Sequence, residues 1–481
     1  MEKQLYSSLE KNKQEISEYF NGSVDFYFKE IKIFNVRCAI VMCEDLTDAQ
    51  RLWETFLYPL NDLVGEKEGG EVFDYIMHKT TLLANSAPAL TFEKMMFYMT
   101  SGFALMLIDG VNKALVMPVQ GYPARGVDQP TTEGNLRGSK ESFTDTGRKN
   151  MALIRRRIRS KNLIIETMQV GSKTKTELTL YYHGDYCPPQ LVKTVKKRLE
   201  DIDLPMIFEA GYISPFVDTT KFSIFQATGY TERPDTFCAK LCEGKIGIMV
   251  DGTPYAMVYP HFFHENFVTN DDYTQRPYFA SFIRLLRYSA FIIAIALPGL
   301  YVGFTAFAPQ VLTEKLLFFI FSSKNNTPLP LFAEAMLITI LLEIIKEAGL
   351  RLPAPIGHSV SLVAALIIGD AAISAGLIGS AILIVCAVSS ISSFVIPSFY
   401  EPIIILRMVF ILLAGIFGIP GIALSVMLLL INITNVNAAG YDYIFMFDLS
   451  QISSFKDGIT KTSWRKMQND PFDLRRNVNE K

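Results

Sequence analysis

The sequence predicts a soluble α/β N-terminal region of two similar subdomains, followed by an α-helical polytopic membrane domain of five or six spans. Three observations predict it. Charge is segregated along the chain, the charge-poor block breaks into runs near the length of a bilayer crossing, and an Asp-Gly hairpin pattern occurs twice in the charged part. Of the 94 Lys, Arg, Asp and Glu residues, 13 lie in the 153 positions from Phe282 to Thr434 and 81 in the other 328. Charge density is thus about 8% in one block and about 25% elsewhere, as in a bilayer domain joined to a soluble one. An ordinary cytosolic enzyme and an intrinsically disordered chain are both excluded. The 481 residues carry a formal net charge of −2. So near-neutral a balance gives no ground for nucleic acid as a partner.

Taken in order, the opening stretch MEKQLYSSLEKNKQEISEYF is charged and has no apolar core, so no cleavable signal peptide is expected. Residues 26–34 and 37–43 read as strands, followed by a helix over 48–57. Residues 163–170 and 177–182 repeat the pattern, with a turn at 171–176 and a helix over 189–202. The clearest repeat pairs GFALMLIDGVNKALVMP (102–118) with GKIGIMVDGTPYAMVYP (244–260). At a constant offset of 142 residues Gly, Asp, Gly, Ala, Val and Pro coincide, including Asp109 with Asp251 and Gly110 with Gly252. Apolar runs on either side of Asp-Gly signal a hairpin, because glycine takes the positive φ a tight turn needs. Each hairpin follows a predicted helix, at 92–100 and 233–243. The domain boundaries that follow are 1–140 and 141–275 for the two α/β subdomains, 281–434 for the membrane domain and 435–481 for a tail.

Neither subdomain contains a phosphate loop, dinucleotide fingerprint, nucleophile elbow or zinc-helix motif. His261 and His264 in HFFHE are in the wrong order for known zinc motifs and read as a loop or interface pair. The six cysteines show no CxxC pair, and reduced core thiols are the plainer reading than a metal site. No metal, cofactor or enzymatic activity is expected. A basic helix over 150–161 carries Arg155, Arg156, Arg157 and Arg159. Consecutive arginines point around a helix and cannot all meet one surface. They make salt bridges and a solvated face, or they contact neighbouring subunits or anionic lipid headgroups.

Arg284 and Arg287 precede an apolar run over 288–308, long enough to cross a bilayer. By the positive-inside rule the N-terminal region is then cytoplasmic. Further crossings are expected over 329–346, 356–375 and 377–396, and a shorter pair over 401–417 and 421–433. The tail after Thr434 is basic and, with an even number of crossings, cytoplasmic. Residues 311–321 are too short to span and read as a helix lying at the outer interface. Pro298 predicts a kink, and Gly299 with Gly303 gives a small packing face. Between 355 and 375, Gly357, Ser361, Ala365 and Gly369 recur every four residues as a small-residue stripe, with His358, Ser359 and Asp370 on adjoining faces. The stripe either packs helices closely or lines a polar path.

Several stretches in order carry a resemblance: ALIRRRIRS (152–160), GSKTKTELTLYY (171–182), TERPD (231–235), EGKIGIMVDGTPYAMVYP (243–260), SFIRLLRYSAF (281–291), EAGLRLPAPIGHSVSLVAALIIGDAAISAGL (347–377) and SSISSFVIPSF (389–399). In these the chain resembles the A subunit family of bacterial spore germinant receptors, over about 150 to 440. The resemblance implies a multi-pass subunit of the spore inner membrane with its N-terminal domain on the core side. It implies partners as well: a transporter-like B subunit, a lipoprotein C subunit, and further copies of itself in a ring that forms a nutrient-gated cation channel. The chain departs from the family's PxGQxVS and xIGQ patterns, having His358 and Asp370 where glutamines are usual. If that helix lines a path, the added carboxylate favours cations. The alternatives are a non-conducting scaffold and an accessory A-like paralogue.

Overall fold

Residues 38–43 (CAIVMC) and 104–108 (ALMLI) are apolar at every position, so strands built from them have no face to offer water. The structure, a computed structural model, covers both faces. It describes residues 3–20, 23–44, 46–61, 63, 65–79, 88–121, 130, 133–135, 137–220, 222–324, 327–352, 369–444, 458–463 and 465. Strands β1 (Phe26–Ile33), β2 (Val36–Cys43), β3 (Ala104–Ile108) and β4 (Ala114–Met117) form an antiparallel sheet in that order. On one side Val41 and Leu105 pack with Leu9 and Ile16 of helix α1 (Leu9–Tyr19) and Met95 and Met99 of α2 (Phe92–Thr100). On the other, Ile40 and Met106 meet Leu52, Phe56 and Val72 from short helical turns. The period of two sends successive residues to opposite layers.

The second half repeats the first. Helix α3 (Gly147–Arg157) leads into β5 (Leu163–Val170), β6 (Thr176–His183) and α4 (Pro189–Glu200). Strand β7 (Gly229–Thr231), helix α5 (Pro234–Cys242), β8 (Ile246–Val250) and β9 (Ala256–Tyr259) complete it, with sheet order β5-β6-β8-β9-β7. Helix α2 and strands β3 and β4 recur as α5, β8 and β9 at the offset of 142, residue for residue. The turn glycines Gly110 and Gly252 both sit at positive φ, +88° and +94°. Their aspartates do more than turn the chain. Asp109 accepts the N–H of Leu9 at 3.1 Å and Asp251 that of Gly147 at 2.8 Å, each satisfying a free donor in the first turn of its half's leading helix. Buried Asn12 and Asn150 play matching parts, each clasping both backbone groups of the residue six before it, Tyr6 or Thr144. One difference stands out: β7 pairs Thr231 with Ala256, whereas among the described residues of the first half the matching contact is the bridge Ala89 to Ala114.

These two halves belong to one compact unit, which takes in described residues up to 219 and 228–260; residues 220–227 and those from 261 onward form the other. The change of unit therefore falls after Pro260, earlier than the 275 expected. The reason is Asp272, fully buried, which accepts from Arg284 at 3.0 Å and from Arg287 at 2.8 Å and so ties its segment to the first long helix. That helix, α6 (Pro277–Phe307), starts well before the expected 288 because these arginines are paired inside the fold.

The second unit continues with α7 (Glu314–Lys324), α8 (Leu331–Arg351), α9 (Ser380–Ser393), α10 (Tyr400–Phe417) and α11 (Ile419–Thr434). Among the described residues, two helices are long and apolar enough to cross a membrane, Pro277–Phe307 and Pro397–Phe417. Helix α7 keeps Ile320 buried and exposes Phe318, Phe319 and Phe321. Described parts of the expected tail fold onto this unit. Tyr443 is buried and accepts from the Phe263 N–H, and the Lys461 N–H donates to Ser281 Oγ at 2.9 Å.

Candidate functional site

The basic helix is the joint between the two α/β halves. Arg155, with no exposed surface, lays its guanidinium on buried Asp25: Nε donates to Oδ2 at 2.7 Å and Nη2 to Oδ1 at 3.1 Å. Its remaining donors reach Ser23 Oγ and the carbonyls of Ser160 and Leu163, and the Phe26 ring lies 5.0 Å away. The Val24 N–H donates to the Ile165 carbonyl beside it. Arg156 and Arg157 both bind Glu141 on the linker between the halves. Partial burial pushes the Glu141 carboxyl up, but its two arginines outweigh that and hold it below the usual carboxylate range. Arg159 is exposed and faces the Phe97 ring at 5.8 Å. Arg155, Arg156 and Arg157 thus meet acidic partners of their own chain. Arg155 has no surface left for a lipid headgroup or a neighbouring subunit.

The TERPD segment pins the same linker. Arg233 forks onto Asp235 and donates to the carbonyls of Glu133 and Ser139, while Thr231 Oγ1 donates to Glu133 Oε2 at 2.6 Å. Burial raises the Glu133 carboxyl above its usual range, against the pull of the Thr231 bond. In HFFHE the phenylalanines, not the histidines, organise the structure. Phe263 packs against Phe267, Phe291, Phe399 and Tyr443, whereas His261 Nδ1 faces Glu265 at 3.3 Å.

In the helical unit, sequence reasoning passed over Arg407. Pro298 has no N–H, so the Ala294 carbonyl one turn before it in α6 loses its helical donor. Two side chains from other helices replace that donor: Arg407 Nε of α10 at 2.9 Å and Ser389 Oγ of α9 at 2.8 Å. Arg407 Nη2 donates to the Ser389 carbonyl and Nη1 to Glu343 of α8, both at 3.2 Å. Lys346 Nζ lies 3.6 Å from the same Glu343, and Tyr400 donates to it at 3.4 Å. The readable signal was a lone arginine inside an apolar helix together with a mid-helix proline. Glu334 is fully buried as well, accepting from Thr327 Oγ1 at 2.7 Å and from the Gly379 N–H at 3.1 Å, at the start of α9.

Of the stripe, Gly357, His358, Ser359, Ser361 and Ala365 lie outside the described residues. Gly369 is half-buried and Asp370 exposed, both in helical backbone. A Cβ on Gly369 would meet Leu383 at 3.6 Å, ordinary contact. Gly299 and Gly303 are tighter: a Cβ would come 2.8 Å from the Phe410 carbonyl oxygen and 2.7 Å from Ile422 Cδ1. That packing face is therefore used within the chain, against α10 and α11. Among the described residues no group of three His, Cys, Asp or Glu is placed to hold a metal ion. The arrangement can hold helices in register around buried polar groups.

The family model for the Bacillus/Clostridium GerA spore germination protein matches residues 14–472. Spore germination protein KA of Bacillus subtilis is 33% identical over 95% of this chain and 85% of its own length. Spore germination protein B1 of Bacillus subtilis is 31% identical, over 98% and 99% respectively. A solved structure, the N-terminal domain of the A subunit of the Bacillus megaterium spore germinant receptor GerK3, is 28% identical with a TM-score of 0.43, covering 55% of this chain and 98% of that one.

Proposed function

The chain belongs to the Bacillus/Clostridium GerA spore germination protein family, and on that premise we propose that it is the A-type membrane subunit of a nutrient germinant receptor. The observation that carries this reading is the extent of the family match, which runs through both the α/β unit and the helical unit. Relatives named for spore germination align over nearly the whole chain at about this identity, so both parts serve one shared task. The subunit assembles with a transporter-like B subunit and a lipoprotein C subunit, and several copies form a ring in the spore inner membrane with the α/β unit on the core side. It crosses the membrane five or six times, the two long apolar helices being the firmest spans. Nutrient binding elsewhere in the complex shifts a two-state equilibrium of the ring and opens a cation path.

The stripe from Gly357 to Gly369, with His358, Ser359, Ser361, Ala365 and Asp370, is placed along that path. A carboxylate there attracts cations and repels anions. The purified receptor complex containing the full-length chain, in proteoliposomes exposed to a panel of nutrients, is expected to pass potassium in preference to chloride, and Asp370→Asn to reduce that preference several-fold while flux persists. Vesicles that pass no ions at all would instead indicate the non-conducting scaffold. Equal preference in both proteins would remove Asp370 from the path.

A further inference from the structure

We propose that the gap Pro298 leaves in the hydrogen-bond ladder of α6, a helix continuous from Pro277 to Phe307, is a hinge latched by Arg407, and that release of the latch is the movement by which the helical unit changes state. An unpaired carbonyl within a membrane has no water to turn to, so the one freed by proline must find another donor or the helix must rearrange. At Ala294 the replacement donors come from side chains of two other helices, Arg407 and Ser389. Arg407 is in turn held by Glu343, so α6, α8, α9 and α10 meet at one polar knot. A backbone hydrogen bond inside a helix is fixed by local geometry, whereas one lent by a neighbouring helix breaks when that neighbour moves. The sequence around the break suits such a joint. Gly299 lets the α6 backbone reach the carbonyl of Phe410 at closest approach, just beyond the latch. Both Arg407 and Ser389 are buried, at 1% and 0% exposure, so in this state the knot is closed to solvent.

The inference rests on the receptor reading for its biological meaning, but the latch itself is tested separately. Pro298→Ala restores an N–H to the Ala294 carbonyl and makes the neighbouring donors dispensable. Ser389→Ala removes one donor without burying a lone charge. In spores, Ser389→Ala is expected to lower the nutrient concentration for half-maximal potassium release by about fivefold, within the range one neutral hydrogen bond carries. Pro298→Ala is expected to slow release at an unchanged amount of protein. In the purified full chain in lipid nanodiscs, hydrogen exchange of the amides over 299–303 is expected to be faster in Ser389→Ala and slower in Pro298→Ala. Equal exchange in all three proteins overturns the latch, whatever the spores do. Altered exchange with potassium release that ignores deletion of the whole chain keeps the latch and sinks the receptor reading. Release that needs the chain but is the same in both variants overturns the latch as the moving part.

Discussion

Arg155→Ala is expected to uncouple the two α/β halves, raising hydrogen exchange along β1 and β5 of the purified full-length protein by about a hundredfold or more. Asp25 and Arg155 are both essentially without exposed surface. Truncating one partner of a buried pair leaves the other charged and dry, which costs about 3–5 kcal/mol. The wild-type arginine uses all three of its nitrogens, with Asp25, Ser23 and two carbonyls of the second half. Arg155→Lys keeps the charge but not the fork, so an intermediate effect is expected. The double change Arg155→Met with Asp25→Leu removes both charges and should recover much of the loss, because apolar packing often equals a buried ion pair. If Arg155→Ala leaves exchange in β1 and β5 as in the wild type, the joint lies elsewhere.

The second large effect is expected at Gly299. Even one added carbon there would lie 2.8 Å from the Phe410 carbonyl oxygen and 3.1 Å from its Cβ. Backbone cannot swing aside as a flexible side chain does, so Gly299→Leu must push α6 and α10 apart. Overpacking of this kind costs about 1–3 kcal/mol and sometimes more. The same shift would carry Arg407 away from Ala294. The expected outcome is a sharp fall in folded protein recovered from membranes and a lower unfolding temperature in detergent. Gly369→Ala serves as the contrast, since its added carbon meets Leu383 at an ordinary 3.6 Å. Equal recovery of the two variants would argue against close α6–α10 packing.

The parts of the fold that were legible share a property: their signals are local. The Asp-Gly hairpins and the helices before them could be read because glycine and aspartate mark a turn within a few residues, and the turn repeats at a fixed offset. What was not legible depends on partners far away along the chain. The run Arg155–Arg157 announces a basic helix but says nothing of Asp25, 130 residues earlier. Likewise Arg284 and Arg287 stand just ahead of an apolar run, and only the fold reveals that both pair with Asp272. The knot at Ala294 falls between these cases. Pro298 identifies the orphaned carbonyl by simple counting, and Arg407 is conspicuous in an apolar helix, yet only packing joins them. His261 and His264 drew notice as chemistry, whereas the aromatic rings between and beyond them fill the core.

In the proposed role, this chain is a subunit through which a nutrient triggers germination. The most direct test follows potassium leaving purified dormant spores, with and without the chain, after exposure to a panel of amino acids, sugars and nucleosides. Release in response to one nutrient class is expected to be lost without the chain and regained when it is restored. Unchanged onset for every nutrient, or a uniform slowing for all of them, would contradict it and identify an accessory subunit instead.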